Sequence, residues 1–161
     1  MERELEPNSC SARYAEDFSS GQIFDLGKKH ITKSEILEFA RKFDPFPFHV
    51  DETYAEKTVF GGLIASGWHT ALIWLGMMHE RLLTYETILG SPGHDSLIWK
   101  NPVRPGDTIS GKVEVIDSRI SQSRPELGFV KYRATMFNQN GDEVFFTQST
   151  LMLKSRVGTK V

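Results

Sequence analysis

Residues 62–83, GLIASGWHTALIWLGMMHERLL, carry apolar side chains on nearly every side of a helical wheel until His79. A surface helix hides one stripe, whereas a helix that is apolar all round is buried. The segment therefore predicts a central helix from about Gly62 to Leu83, roughly 30 Å long at 1.5 Å per residue. Gly61, Gly62, Ala65, Ser66, Gly67, Ala71 and Gly76 give it a small-residue character. Another backbone or a thin ligand can come close to such a surface.

What wraps that helix is written downstream. After Ser91-Pro92-Gly93 the chain reads as sheet: SLIWKNPV (96–103), TISGKVEVID (108–117), FVKYRATMFN (129–138) and FFTQSTLML (145–153). In the second of these Ile109, Val113 and Val115 fall on one face while Ser110, Lys112 and Glu114 fall on the other. Such alternation describes an antiparallel sheet covered on one side. Arg104-Pro105-Gly106-Asp107 has proline and glycine at the central positions of a type II turn, and Asn140-Gly141 is a strong hairpin signal. The fold class is α+β, with QIFDLG (22–27) a possible further strand. The exposed edges of such a sheet are often covered by pairing subunits.

Upstream, Thr32 and Glu35 form a capping box and Ile31 with Ile36 a hydrophobic staple, predicting a helix from Thr32 to Phe43 with Ile36, Ala40 and Phe43 on one face. Pro45 disfavours helical dihedrals at Asp44 and ends it. The segment that follows, FDPFPFHVDE (43–52), reads as a rigid loop in which Pro45 and Pro47 hold Asp44 and His49 at a nearly fixed separation. Two preorganised titratable groups, one an imidazole that titrates near neutral pH, suit general acid–base catalysis. The residues by themselves leave a second reading open, with Asp44 closing a helix and His49 packing beneath a loop.

Composition narrows the classes. A chain of 161 residues is about one domain long and is treated as one domain spanning 1–161, with 1–20 and 155–161 expected at its periphery. Charged residues make up 25% and the net charge is -2. No basic stripe is present to displace phosphate counterions, so nucleic acid is not expected as a partner. The single Cys10 excludes an intrachain disulfide framework. Neither a secretory h-region nor a run near the roughly 20 apolar residues of a membrane span is visible, and a cytoplasmic protein is expected. His30, His49, His69, His79 and His94 show no paired metal-ligand spacing, so no metal is expected. His69 is expected to be a hydrogen-bonded core residue, and Trp68, Trp74, Met77 and Met78 plain core, with the lining for an apolar ligand chain as the other reading. Lys100 and Arg104 could meet phosphates.

DPFPFH (44–49), FGGLIASGWHT (60–70) and NPVRPGD (101–107) together resemble the MaoC-like dehydratase family, which includes (R)-specific enoyl-CoA hydratases and shares the hot dog fold. The resemblance runs from about Gly21 to Leu153. It implies an antiparallel sheet wrapped around a long central helix, and reversible hydration of a trans-2-enoyl-CoA to a (R)-3-hydroxyacyl-CoA. Asp44 and His49 would then act on one water. The resemblance further implies that a free Gly62 N–H meets the developing oxyanion and that the Thr70 hydroxyl orients the aspartate, with Phe46 and Ser66 among the substrate-binding positions. Two positions depart from the family pattern: Phe46 replaces its common asparagine, which would reshape the acyl pocket, and Gly61 replaces a histidine. No cofactor is implied beyond coenzyme A as part of the substrate, and a homodimer or dimer of dimers is expected. A hot dog thioesterase and a noncatalytic acyl-CoA-binding subunit are the alternatives.

Overall fold

The computed structural model describes residues 11–158. Cys10 and the last three residues lie outside the described residues. In chain order the elements are β1 (Ile23–His30), α1 (Lys33–Phe43), α2 (Pro47–Val50), α3 (Glu52–Glu56), α4 (Gly67–Arg81), β2 (Ile88–Gly90), β3 (His94–Trp99), β4 (Thr108–Ile120), β5 (Leu127–Phe137) and β6 (Glu143–Lys154). A six-stranded antiparallel sheet runs β1-β4-β5-β6-β2, with β3 pairing β6 as well. β2 faces Met152 and Leu153, and β3 faces the stretch from Phe145 to Ser149, so the two fill successive halves of one edge of β6. QIFDLG does join the sheet, as the start of β1.

The expected alternation is realised across the sheet. Ile109, Val113 and Val115 of β4, Val130, Tyr132, Ala134 and Met136 of β5, and Phe145, Leu151 and Leu153 of β6 are buried in one core with Ala71, Ile73, Trp74, Met77 and Met78 of α4. At Gly111 an added Cβ would lie 3.2 Å from Leu26 and 3.5 Å from Met77. That position keeps the helix side close to the sheet, and side chains would hold it off.

α4 begins five residues later than the apolar run suggests. Gly61 and Gly62 have φ of 62° and 154°, which no helix residue adopts. The Ala65 N–H donates to the Val103 carbonyl at 2.8 Å, and Ser66 caps the helix by accepting from the Trp68 N–H at 3.2 Å. The stretch 61–66 is thus a loop laid against the sheet end, and its apolar residues are buried without being helical. α1 matches its capping-box signature, with Thr32 accepting from the Glu35 N–H and Glu35 accepting from the Thr32 N–H. Phe43 departs from the predicted inner face and stands 63% exposed.

Both predicted turns close. Asp107 N–H donates to Arg104 O at 3.1 Å with Gly106 at φ 90°, as a type II turn requires. In the β5–β6 hairpin only Gly141 has positive φ (86°), and Asn140 does not. This is a turn closed by a glycine bulge rather than a two-residue I′ turn. The N-terminal stretch expected to be peripheral contributes to the core: Ala15 is fully buried and Phe18 nearly so. Arg156 pairs with Asp17 at 2.7 Å and ties the two chain ends together.

Candidate active site

The segment after α1 folds more tightly than a loop. Asp44 is the C-cap of α1, its N–H donating to Ala40 O at 2.9 Å. Phe46 takes the extended dihedrals (φ -63°, ψ 140°) that a following proline enforces. Pro47 then occupies the first position of the one-turn helix α2, where its missing N–H costs nothing. Expecting no helix here overlooked that allowance. The turn carries His49 back toward the end of α1, and α3 follows at once, capped by Asp51.

His49 is 5% exposed. Its Nδ1 lies 2.9 Å from the Ile64 carbonyl oxygen, which can only accept, so Nδ1 carries the proton of the neutral ring. Nε2 is left with its lone pair, 3.5 Å from Asp44 Oδ2. At that distance the two atoms can share a proton directly, or both reach one water lying beside them. The pair is therefore built to share one. Phe48 stands edge-on to the imidazole at 4.5 Å and also contacts Phe60 at 5.4 Å.

His49 opens on a cavity of about 320 Å³, whose walls include Phe48, Phe60, Ile64, Gly67, Thr70 and Trp99. Its size falls at the lower end of small-molecule sites. Gly67 is the first residue of α4. Its N–H is one of the first-turn donors without an intrahelical acceptor, while that of Trp68 is taken by Ser66. The Trp99 indole N–H donates to Gly67 O at 2.6 Å, and its ring lies where a Cβ on residue 67 would sit, 2.7 Å away. Only glycine fits under that ring.

Several expected site residues stand elsewhere. The N–H of Gly62 is not free, since it donates to Ala55 O at 3.2 Å. The donor at the helix start is at Gly67, and the signal that marks it is the Ser66-Gly67 pair, a cap residue followed by a small first position. Ser66 is fully buried with its hydroxyl engaged in capping the helix, and it is absent from the cavity lining. Thr70 lines the cavity, but its hydroxyl donates to Ser66 O at 3.3 Å and makes no hydrogen bond to Asp44. Phe46 is 59% exposed, stacked on Phe48 at 5.5 Å, and is absent from the cavity lining. Phe48, two residues on, is the aromatic wall that sequence reasoning missed. Trp68, expected in the core, is 59% exposed against the Trp99 edge, while Trp74, Met77 and Met78 are buried as expected. Arg104 donates to Phe60 O and holds the loop before Gly61, and Lys100 pairs with Glu143 at 3.0 Å.

His69 is buried and stacked on Phe39 at 4.8 Å, with Nδ1 lacking the hydrogen bond expected of it. Burial lowers its pKa from the ordinary 6.5, with Glu35 opposing. The unfolded chain therefore takes up this proton first as pH falls. The stabilisation is complete above 6.5 and is lost as pH drops below that value toward the depressed folded pKa. Melting curves from pH ~7.5 to ~5 are expected to show a falling Tm whose slope flattens in His69→Phe. An unchanged slope in the variant would contradict this. Among the described residues no group of three metal-ligating side chains forms, and no helix is long and apolar enough to cross a membrane.

The MaoC like domain family matches residues 18–136. The chain is 35% identical over 148 residues to the (R)-specific enoyl-CoA hydratase of Rhodospirillum rubrum, covering 89% of this chain and 93% of that protein. It is 32% identical over 139 residues to the uncharacterized protein YdeM of Bacillus subtilis, covering 86% and 97%. The crystal structure of the MaoC-like dehydratase from Rhodospirillum rubrum superposes with a TM-score of 0.83 at 36% identity, over 90% of this chain and 99% of that one.

Proposed function

This chain belongs to the MaoC-like dehydratase family and has its hot dog fold, and from that premise we propose that it hydrates a trans-2-enoyl-CoA reversibly to a (R)-3-hydroxyacyl-CoA, with Asp44 and His49 acting on one water. The observation that carries the reading is the 3.5 Å approach of Asp44 Oδ2 to a His49 Nε2 whose tautomer the Ile64 carbonyl fixes. A water beside the pair, within reach of both, loses one proton to Nε2 as its oxygen bonds to the β-carbon. The π electrons move onto the thioester as an enolate. The proton crosses from Nε2 to Asp44, which delivers it to the α-carbon, so one water is consumed and both side chains return to their starting states. Such assistance is worth roughly 10²–10⁴ in rate.

The enolate oxygen needs a donor. In this reading it is the Gly67 N–H, which stands on the cavity wall at the positive end of α4. One preorganised donor contributes roughly 3 kcal/mol. The outer edge of β3, where exposed Trp99 meets exposed Trp68 of α4, supports a second copy covering this side of the site.

Crotonyl-CoA tests the assignment. Loss of the conjugated absorbance without release of free thiol is the expected result. Thiol release would mean that the thioester is cut, as a thioesterase would do, and tight binding with neither change would mean a noncatalytic acyl-CoA-binding protein.

A further inference from the structure

Gly67 is the residue of α4 that the helix itself holds least. As the first helical residue its N–H has no intrahelical acceptor, and without a Cβ its backbone has more conformational freedom than any other residue type. The direction of that N–H is therefore set by neighbours outside the helix. The end of β3 and the segment after it grip the helix start at two points. The Ala65 N–H donates to Val103 O at 2.8 Å, just before the Ser66 cap, and the Trp99 indole N–H donates to Gly67 O at 2.6 Å.

Trp99 adds a second restraint with its ring, three atoms of which lie 2.7, 2.8 and 2.9 Å from the place of a Cβ on residue 67. The hydrogen bond fixes the peptide that follows Gly67, and the ring limits rotation of the residue about its own Cα. Trp99 is itself anchored, although 42% exposed. It pairs with Phe145 of β6, and the next two residues are tied to the same strand, Lys100 N–H donating to Val144 O at 3.1 Å and Asn101 Nδ2–H to Glu143 O at 2.8 Å.

We propose that Trp99 is a positioning residue: its indole holds Gly67 so that the Gly67 N–H stays aimed into the His49 cavity, at the place of a bound thioester oxygen. The proposal rests on the reading of Gly67 as the donor to the enolate and adds the residue that aims it. Trp99→Leu, which loses both the ring and its N–H, is expected to lower kcat for crotonyl-CoA by about 10²-fold with KM within about threefold, because a misaimed donor is felt most in the transition state. Trp99→Phe keeps a ring and loses the N–H, and about a tenfold loss is expected. The Gly67 amide supplies a readout without turnover. In backbone nitrogen relaxation it should be as ordered as the rest of α4 in the wild type and distinctly more mobile in Trp99→Leu. Saturated butanoyl-CoA should shift its resonance in the wild type and move it far less in the variant. Gly67→Ala, whose Cβ displaces the ring, should combine with Trp99→Leu without multiplying the losses, since both act through one contact. A kcat within about threefold of wild type in a folded Trp99→Leu, an unaltered Gly67 amide, or losses that multiply in the double variant overturn the proposal. If Trp99→Leu fails to fold, Trp99→Phe decides by the same readings. An amide response that depends on Trp99 in a protein that hydrates nothing would refute the hydratase reading and leave this proposal standing; hydration indifferent to Trp99 would do the reverse.

Discussion

Replacing Asp44 with asparagine is expected to lower kcat for crotonyl-CoA hydration by about 10²–10⁴ while leaving the protein folded. The substitution keeps the shape of the side chain and the N–H that caps α1, which is a backbone group bonded to Ala40. What disappears is the carboxylate 3.5 Å from His49 Nε2, which in the proposed mechanism is the group that returns the proton to carbon. The melting temperature should stay near that of the wild type, because Asp44 has no buried partner other than this ring among the described residues. A kcat within a few fold of wild type would remove Asp44 from the chemistry.

His49→Ala should lose activity by a similar factor, and it should lose stability as well. The imidazole is 5% exposed and donates to Ile64 O, so its removal leaves a cavity and a carbonyl without its donor, at about 1–3 kcal/mol for the unpaired group. For a chain of this size that is a drop in Tm of roughly 2–4 °C per kcal/mol. The double variant Asp44→Asn/His49→Ala is expected to be scarcely slower than either single one, because in the proposed mechanism the two groups pass one proton between them and fail as a unit. Multiplying losses would mean that they act independently. The contrast between the two single variants, one silent in stability and the other not, separates catalytic loss from unfolding.

Much of this was readable in the chain because the local signals agreed with the tertiary ones. The capping box at Thr32 and Glu35, the turn at Pro105-Gly106 and the alternation of Ile109, Val113 and Val115 all appear where their chemistry places them. The start of α4 was misread for a specific reason. Leu63, Ile64 and Ala65 are buried, and burial writes the same apolar letters into a loop packed on a sheet as into a helix. Positive φ at Gly61 and Gly62 and the cap at Ser66 decide between them, and that moves the free helix-start donor from Gly62 to Gly67. The Phe46 and Phe48 exchange has a similar origin. Pro47 starts a helical turn instead of continuing an extended loop, and the turn rotates Phe46 outward and Phe48 onto the cavity.

The geometry makes one further demand on the chemistry. In the proposed mechanism two groups only 3.5 Å apart must act from one side of a planar double bond, so the oxygen they activate and the proton they return reach the same face. Hydration of crotonyl-CoA in deuterium oxide, read by the proton coupling between the α- and β-carbons of the product, measures this directly. The account predicts syn addition, with deuterium and hydroxyl delivered from one face. Anti addition would place the acid and the base on opposite sides and contradict it.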